Sequence, residues 1–194
     1  MARLVVITGP SGVGKGTLIR RLLTEVPGLV VSTSATTRSP RPGEIDGREY
    51  HFLSRSEFDS RVEAGDFLES AEYAGNLYGT LNSELKNRGE AIRAVVLEIE
   101  TLGAATIRRK VPGAIQMFIA PPSPESLRQR LVGRGTDAPL VIEQRLETAT
   151  RELARQSEFD TVIINDDLDT AATELAQHVA ARLDCSSDKP TGDS

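Results

Sequence analysis

Residues 3–17 read RLVVITGPSGVGKGT. Residues 3–8 form a short β-branched run that ends at a glycine, which is typical of a buried strand in a parallel sheet. Residues 9–16 are rich in glycine, and from Thr17 apolar residues recur at helical spacing until Pro27-Gly28 ends the pattern. The chain therefore opens with a predicted strand, a glycine-rich loop and a helix.

The glycine-rich loop has the spacing of a phosphate-binding loop, with four residues between Gly9 and Gly14 and then Lys15. Glycines let backbone N–H groups turn toward a phosphate, and the helix start adds a partial positive charge. The Lys15 ammonium can reach the outer phosphates of a nucleotide. The motif has Ser or Thr directly after the lysine, but here Gly16 precedes Thr17. We therefore expect magnesium to be held either through water or by Thr17.

Composition narrows the classes of function. The 194 residues suit one domain, or one core with small insertions, and the hydrophobic and charged fractions of 39% and 26% are globular. The apolar run Leu4 to Ile7 is too short for a membrane span or a signal peptide, so we expect a cytoplasmic chain. The single Cys185 excludes an intrachain disulfide framework, and His51 and His178 lack metal-ligand spacing. The net charge of −5 disfavours nucleic-acid binding.

Strand and helix patterns alternate along the remaining chain, around two inserted segments. Strands are predicted at residues 29–31, 91–99, 114–119 and 161–164. Helices are predicted at residues 82–88, 124–133, 139–156 and 168–183. A further helix is predicted between the strand at 91–99 and about residue 110. This alternation predicts an α/β fold with a parallel sheet and right-handed crossovers.

The first inserted segment, residues 34–84, differs in character from its surroundings. Its first part is polar and rich in turn residues, and the segment holds six of the eight aromatic residues. We therefore expect it to have a small core of its own. Ser56-Glu-Phe-Asp59 predicts a capping box that starts a short helix to Ala64, and residues 67–73 and 78–80 predict short strands.

The same segment carries side chains suited to a phosphate and a base. Side chains that can donate hydrogen bonds to phosphate oxygens are Ser34, Arg38, Arg41, Tyr50 and Tyr78. Carboxylates and a hydroxyl follow at Glu69, Thr80, Glu98 and Glu100. A carboxylate accepts from both the ring N–H and the exocyclic amine of guanine, whereas adenine presents an acceptor at that ring position. Such a site therefore selects guanine.

Six strings follow one another along the chain. They are Gly9 to Lys15, Ser34-Ala-Thr-Thr-Arg38 continuing to Arg41-Pro-Gly-Glu44, Gly75-Asn-Leu-Tyr-Gly-Thr80, Pro121-Pro-Ser123, Gly133-Arg-Gly-Thr136 and Ile164-Asn-Asp-Asp167. In this order the sequence resembles the guanylate kinase family over roughly residues 3–183. The phosphate loop alone is not specific, but the combination is.

The resemblance implies an α/β fold: a P-loop kinase core with a parallel five-stranded sheet flanked by helices, plus an inserted GMP-binding domain and a lid. The core is expected at residues 1–33, 85–120 and 157–184, the GMP-binding domain at 34–84 and the lid at 121–156. Residues 185–194 are expected to be a disordered tail.

The resemblance also implies roles for individual residues. ATP is expected on Gly9, Pro10, Ser11, Gly12, Val13, Gly14, Lys15, Gly16, Thr17 and Asn165. The GMP phosphate is expected on Ser34, Arg38, Arg41, Tyr50 and Tyr78, and guanine on Glu69, Thr80 and Glu100. The transferring phosphoryl group is expected on Lys15 and on the lid residues Arg134 and Arg145. Magnesium is expected on Thr17 and Glu98.

The implied reaction is in-line transfer of the γ-phosphoryl group of ATP to GMP or dGMP, giving ADP and GDP without a covalent intermediate. The implied partners are these nucleotides, with Mg2+ as cofactor. No nucleic acid or membrane partner is expected, and the protein is expected to be a monomer or homodimer. One departure is Glu98-Ile99-Glu100, where the family usually has Asp-Ile-Asp. Each carboxylate is moved outward by one methylene, which changes its approach to magnesium or guanine.

Two alternatives stay open at this point. The first is a noncatalytic guanylate-kinase-like interaction module, which tends to lack a working phosphate loop, whereas Gly14 and Lys15 are present here. The second is a kinase for another small phosphorylated acceptor, for which the intact segment from Ser34 to Thr80 would serve no purpose.

Overall fold

A computed structural model of the chain describes residues 3–86, 89, 91–133 and 138–185. The strands are β1 (Arg3–Thr8), β2 (Leu29–Val31), β3 (Ala35–Thr36), β4 (His51–Phe52), β5 (Phe67–Tyr73), β6 (Asn76–Leu81), β7 (Ala94–Glu98), β8 (Ile115–Ala120) and β9 (Thr161–Ile164). The helices are α1 (Lys15–Glu25), α2 (Arg55–Glu63), α3 (Thr101–Lys110), α4 (Pro124–Val132), α5 (Pro139–Leu153) and α6 (Leu168–Asp184). Short 3-10 helices lie at Asn82–Leu85 and Gln156–Glu158.

The larger sheet is parallel and has five strands in the order β2-β7-β1-β8-β9. Its strands consist mainly of buried Val, Ile and Leu residues, as expected when helices cover both faces of a parallel sheet. Strands that neighbour one another in the sheet are distant in sequence, and such parallel pairs need crossover connections. The predicted α/β class with a five-stranded parallel sheet flanked by helices is confirmed.

The smaller sheet has the strand order β4-β3-β6-β5. β5 and β6 form an antiparallel hairpin, and its turn contains Ala74 and Gly75 with φ of +49° and +76°. The core of this sheet consists of the buried residues Ala35, Phe58, Phe67 and Leu81, with the rings of Phe58 and Phe67 stacked at 4.4 Å between centroids. The small core expected for the first inserted segment is therefore present.

The chain divides into two compact units, Met1–Val6 with Val30–Ala114 and Ile7–Leu29 with Ile115–Ser194. The first contains the smaller sheet, α2 and α3, and the second contains the phosphate loop with α1 and α4 to α6. The division into core, GMP-binding domain, lid and disordered tail stays a prediction, and residues 186–194 of the tail lie outside the described residues.

The predicted capping box is wrong by two residues. Ser54, not Ser56, is the N-cap of α2, because its side chain accepts a hydrogen bond from the Glu57 N–H while the Glu57 carboxylate accepts one from the Ser54 N–H. The local sequence explains this choice, because Ser54 is followed three residues later by glutamate, whereas Ser56 is followed by Asp59. A helix that starts after Ser54 places Leu53 and Phe58 on either side of the cap, where both join the small core.

Several predicted elements are shorter in the structure. The helix predicted over residues 139–156 ends at Leu153. The helix predicted over residues 82–88 is a 3-10 turn at Asn82–Leu85, after which Lys86 is extended with ψ of 151°. Within this turn the Glu84 carboxylate accepts a hydrogen bond from the Thr33 N–H at 2.9 Å, which ties the turn to the chain before β3. The strand predicted over 91–99 spans Ala94–Glu98.

Candidate functional site

The phosphate loop between β1 and α1 has a backbone that glycine alone adopts readily. Gly9, Gly12 and Gly14 have φ of +152°, +88° and +98°. Gly14 is also the N-cap of α1, and this helix has no side-chain cap and no acidic residue in its first turn. The start of α1 therefore offers its N–H groups and its partial positive charge to an anion.

Two of these glycines also lie against other parts of the same unit. A Cβ on Gly9 would collide with the backbone oxygen of Ile119 in β8. A Cβ on Gly14 would lie 2.7 Å from Nδ2 of Asn165. Both separations are below van der Waals contact, so the loop needs glycine for space as well as for backbone conformation.

Lys15 is the first residue of α1, and its ammonium lies over the loop. Its Nζ donates hydrogen bonds to the carbonyl oxygens of Gly9 at 2.5 Å and Pro10 at 3.3 Å. A phosphate bound by the loop would meet this charge directly.

Nucleotide phosphates commonly carry a divalent metal, which takes oxygen ligands from the protein. Among the described residues, no group of three or more His, Cys, Asp or Glu side chains is arranged to hold a metal ion. The Thr17 hydroxyl is an oxygen ligand of the kind magnesium prefers, although it accepts a hydrogen bond from the Arg20 guanidinium at 3.1 Å. The Thr17 hydroxyl fits a metal that arrives bound to nucleotide phosphates and needs only one or two protein ligands.

A pocket of about 440 Å³ adjoins the loop. It is lined by Gly12, Val13, Gly14, Thr17, Arg130, Gly133, Asn165, Asp166 and Leu168. Asn165 is buried, and its Nδ2 donates to the Val13 carbonyl oxygen at 2.7 Å. The structure thus brings together Val13 and Asn165, two residues predicted to bind ATP that are 152 positions apart.

Arg130 on α4 is a pocket residue that the sequence reasoning missed. Its Nη2 donates to the Asn165 carbonyl oxygen at 2.8 Å, and its Nη1 donates to the Val13 carbonyl oxygen at 3.4 Å. The sequence shows six arginines between residues 128 and 155, but nothing in their spacing distinguishes this one. Of the two arginines that were predicted, Arg145 lies half-buried on α5 and Arg134 lies outside the described residues.

The residues predicted to bind GMP lie in the other compact unit, and Arg38 makes several contacts among them. Its Nη2 pairs with Oε1 of Glu44 at 3.0 Å, and its guanidinium carbon lies 5.3 Å from the ring centre of Tyr50. The hydrogen bond to Glu44 raises the pKa of Arg38, and the same bond lowers the pKa of Glu44. Glu44 also accepts from the backbone N–H of Arg41 at 2.7 Å, so it organises the loop that carries both arginines.

The predicted tyrosines pack beside Arg38. The rings of Tyr50 and Tyr78 meet edge to face with centroids 6.1 Å apart. Burial raises the pKa of the Tyr50 phenol, and the negative charge of Glu98 raises it further. The carbonyl oxygen of Ser34 accepts a hydrogen bond from the His51 N–H at 2.9 Å, which joins this residue to β4.

Glu69 and Thr80 form a buried polar pair in the same compact unit as Arg38. Glu69 is 3% exposed, and its Oε1 accepts a hydrogen bond from the Thr80 hydroxyl at 2.8 Å. Burial raises the pKa of Glu69, and the nearby charge of Glu100 adds to this effect. One carboxylate oxygen of Glu100, Oε2, is buried without a hydrogen-bond partner.

The sequence model of the guanylate kinase family matches residues 1–182. This chain belongs to the guanylate kinase family. It is accordingly a nucleoside monophosphate kinase, and neither alternative left open by the sequence is favoured.

Individual guanylate kinases match most of the chain. The guanylate kinase of Parasynechococcus marenigrum (strain WH8102) is 54% identical over 175 residues, covering 90% of this chain and 96% of its own. That of Rubrobacter xylanophilus (strain DSM 9941 / JCM 11954 / NBRC 16129 / PRD-1) is 50% identical over 175 residues, covering 90% and 92%. The crystal structure of guanylate kinase from Anaplasma phagocytophilum superposes with a TM-score of 0.75 at 29% identity, covering 94% and 86%.

Within this member of the guanylate kinase family, the predicted residues fall into two sets. The predicted loop residues and Asn165 belong to one compact unit, and the predicted GMP residues belong to the other. Their individual roles stay predictions. Among the helices of the described residues, none is both long and apolar enough to cross a membrane.

Proposed function

We propose that this chain transfers the γ-phosphoryl group of ATP to the phosphate of GMP or dGMP, giving ADP and GDP. The observation that carries the choice of guanine is the pair of neighbouring carboxylates, Glu69 and Glu100. Glu69 is buried and bonded to Thr80, and Glu100 has a buried oxygen without a partner. A buried acceptor that lacks a donor is costly, and a ligand with donors removes this cost.

The Watson–Crick edge of guanine matches these acceptors. It presents two adjacent donors, the ring N–H and the exocyclic amine, whereas adenine presents a ring acceptor at the corresponding position. At these two positions adenine has a ring lone pair and a carbon-bound hydrogen, so the carboxylates would lack donors there and would face a lone pair. We therefore assign Glu69, Thr80 and Glu100 to guanine recognition, with the discrimination expected of a site built on hydrogen bonds.

Arginines and tyrosines of the same unit are assigned to the acceptor phosphate. Arg38 is paired with Glu44 and lies over Tyr50, so its guanidinium is held in place before a phosphate arrives. A phosphate dianion would meet Arg38 and Arg41 as charge-assisted donors, with the side chains of Ser34, Tyr50 and Tyr78 adding neutral hydrogen bonds.

The phosphate loop and Asn165 are assigned to ATP, with Lys15, Arg134 and Arg145 stabilising the charge of the transferring group. Thr17 and Glu98 are the proposed ligands of a metal that we take to be Mg2+. When bound, such a metal neutralises charge on the phosphate oxygens. The acceptor phosphate is itself the nucleophile, so no residue is needed as a general base.

The proposed domain arrangement is the one predicted from the sequence: a core, a GMP-binding domain at residues 34–84 and a lid at 121–156. Closure of the two inserted segments would exclude water and limit hydrolysis of ATP. The monomeric or dimeric state and the cytoplasmic location stay predictions of the sequence.

An assay of ADP formation with GMP, AMP, CMP and UMP in turn tests the proposal. We expect turnover with GMP at least about a hundredfold faster, as kcat/KM, than with any other nucleotide. The variant Glu69→Gln, which removes one charged acceptor, is expected to lower kcat/KM for GMP while changing KM for ATP little. Turnover of another acceptor in preference to GMP, or no turnover at all, would contradict the proposed function.

A further inference from the structure

Gly103 lies in the first turn of α3 and directly faces the Glu69 carboxylate. A Cβ on Gly103 would lie 2.5 Å from Oε2 and 3.2 Å from Cδ of Glu69. Gly103 is itself buried, as is Glu69. The missing side chain of Gly103 therefore creates the space that one oxygen of the Glu69 carboxylate occupies.

Backbone conformation does not account for this glycine. Gly103 lies inside a regular helix, and its φ is not among the positive values that the described glycines show. Glycine is the poorest helix former except for proline, and alanine at this position would favour the helix. The close approach to Glu69 is the structural feature that requires a glycine here.

The helix cannot easily move away from the carboxylate. At the other end of α3, Nζ of Lys110 donates a hydrogen bond at 2.6 Å to the carbonyl oxygen of Leu68, the residue before Glu69 on β5. The second carboxylate oxygen of Glu69, Oε1, is held by the Thr80 hydroxyl. A methyl group on Gly103 would therefore displace the free end of the Glu69 side chain rather than the helix.

We propose that Gly103 is a positioning residue for guanine selection, because it leaves room for the Glu69 carboxylate to lie where a guanine edge can reach it. The role rests on the proposed function. A displaced carboxylate would lose its alignment with both donors of guanine, while the ATP-binding residues belong to the other unit.

The variant Gly103→Ala tests this role. We expect KM for GMP to rise about tenfold or more, as for the loss of a charged hydrogen bond, while KM for ATP changes less than about twofold. The preference for GMP over inosine monophosphate, which lacks the exocyclic amine, should fall, because only GMP uses both donors. Gly113→Ala is the matched control, since a Cβ there meets no atom within 4 Å. It should leave both KM values and the preference unchanged.

A second measurement does not depend on activity. In the Glu69→Ala background the carboxylate is absent, and Gly103→Ala should then raise Tm through helix propensity. In the wild-type background the same substitution should raise Tm less or lower it, with a difference between the two shifts of at least about 2 °C. Equal shifts would overturn the claim that Gly103 makes room for Glu69.

The outcomes separate the two proposals. If the wild-type chain phosphorylates GMP and Gly103→Ala leaves KM for GMP and the nucleotide preference intact, the positioning role is wrong and the proposed function stands. If the wild-type chain does not phosphorylate GMP, the proposed function fails and the role in guanine selection fails with it. A raised KM for GMP together with unequal Tm shifts supports the role.

Discussion

At Glu69, a carboxylate is buried among groups that act on it in opposite directions. The Thr80 hydroxyl and the charge of Lys110 favour its ionised form, whereas burial and the charge of Glu100 favour its protonated form. Burial is the largest of these effects, so the pKa of Glu69 lies above that of an ordinary glutamate. The ionised form of Glu69 is therefore disfavoured in the folded chain, and hydrogen-bond donors from a ligand would stabilise it.

This environment predicts a pH dependence of stability. Because the pKa of Glu69 is higher in the folded chain than in the unfolded chain, the folded chain binds more protons between the two values. The free energy of unfolding of the wild type, relative to Glu69→Gln, should decrease as pH rises from the ordinary glutamate pKa through the raised one. Above and below that window the difference should be constant. Urea unfolding of both proteins at a series of pH values measures it, and a difference that grows with pH in the window would contradict the assignment.

At the scale of single elements, the phosphate loop combines a backbone constraint with a packing constraint. Gly14 has φ of +98° and would place a Cβ 2.7 Å from the Asn165 amide. The same amide bonds to the Val13 carbonyl oxygen. The loop therefore packs tightly against Asn165, the residue after β9.

We expect Gly14→Ala to destabilise the fold by about 1–3 kcal/mol and to raise KM for ATP, because it strains the backbone and displaces Asn165. Gly65→Ala is the matched control. Gly65 also has a positive φ, of +73°, but a Cβ there meets no atom within 4 Å. This control should cost about 1 kcal/mol and leave KM for ATP unchanged. Equal effects of the two variants on KM for ATP would show that crowding of Asn165 is unimportant.

At the scale of the whole molecule, the predicted residues for the two nucleotides belong to different compact units. The loop with Lys15 is part of one unit, and the Arg38 and Glu69 sites are part of the other. A change in one set of residues should therefore leave binding to the other set largely intact.

Lys15→Ala should lower kcat roughly a thousandfold, since it removes a charge expected on the transferring phosphoryl group. The Kd for GMP, measured by calorimetry without ATP, should change less than about twofold. Arg21→Ala on the same helix is the control, because its ion pair with Asp169 is exposed and contributes little to stability. Unchanged turnover of Lys15→Ala would contradict the role of this lysine.

Local patterns were sufficient for most elements. The run of β-branched residues before Gly9 predicts β1, and Ser123 with Pro124 predicts the start of α4, which has that cap and that proline. These features depend on residues a few positions apart, so a short stretch of chain contains the whole signal. The misplaced cap of α2 was not a limit of local patterns, because Ser54-Arg-Ser-Glu57 has the glutamate that a capping box needs, whereas Ser56 is followed three residues later by Asp59.

Residue types alone already indicated a loop for nucleotide phosphates, forked donors for a second phosphate and carboxylates for a base. The contacts among them came from the folded chain. Antiparallel pairing of β5 with β6 places Glu69 opposite Thr80, and the end of β9 brings Asn165 to Val13. No local sequence pattern indicates Arg130 or Gly103. Arg130 matters through its contacts with Val13 and Asn165, and Gly103 through its closeness to Glu69. Such contacts join residues far apart in the chain, and the packing of many elements together determines which of them meet.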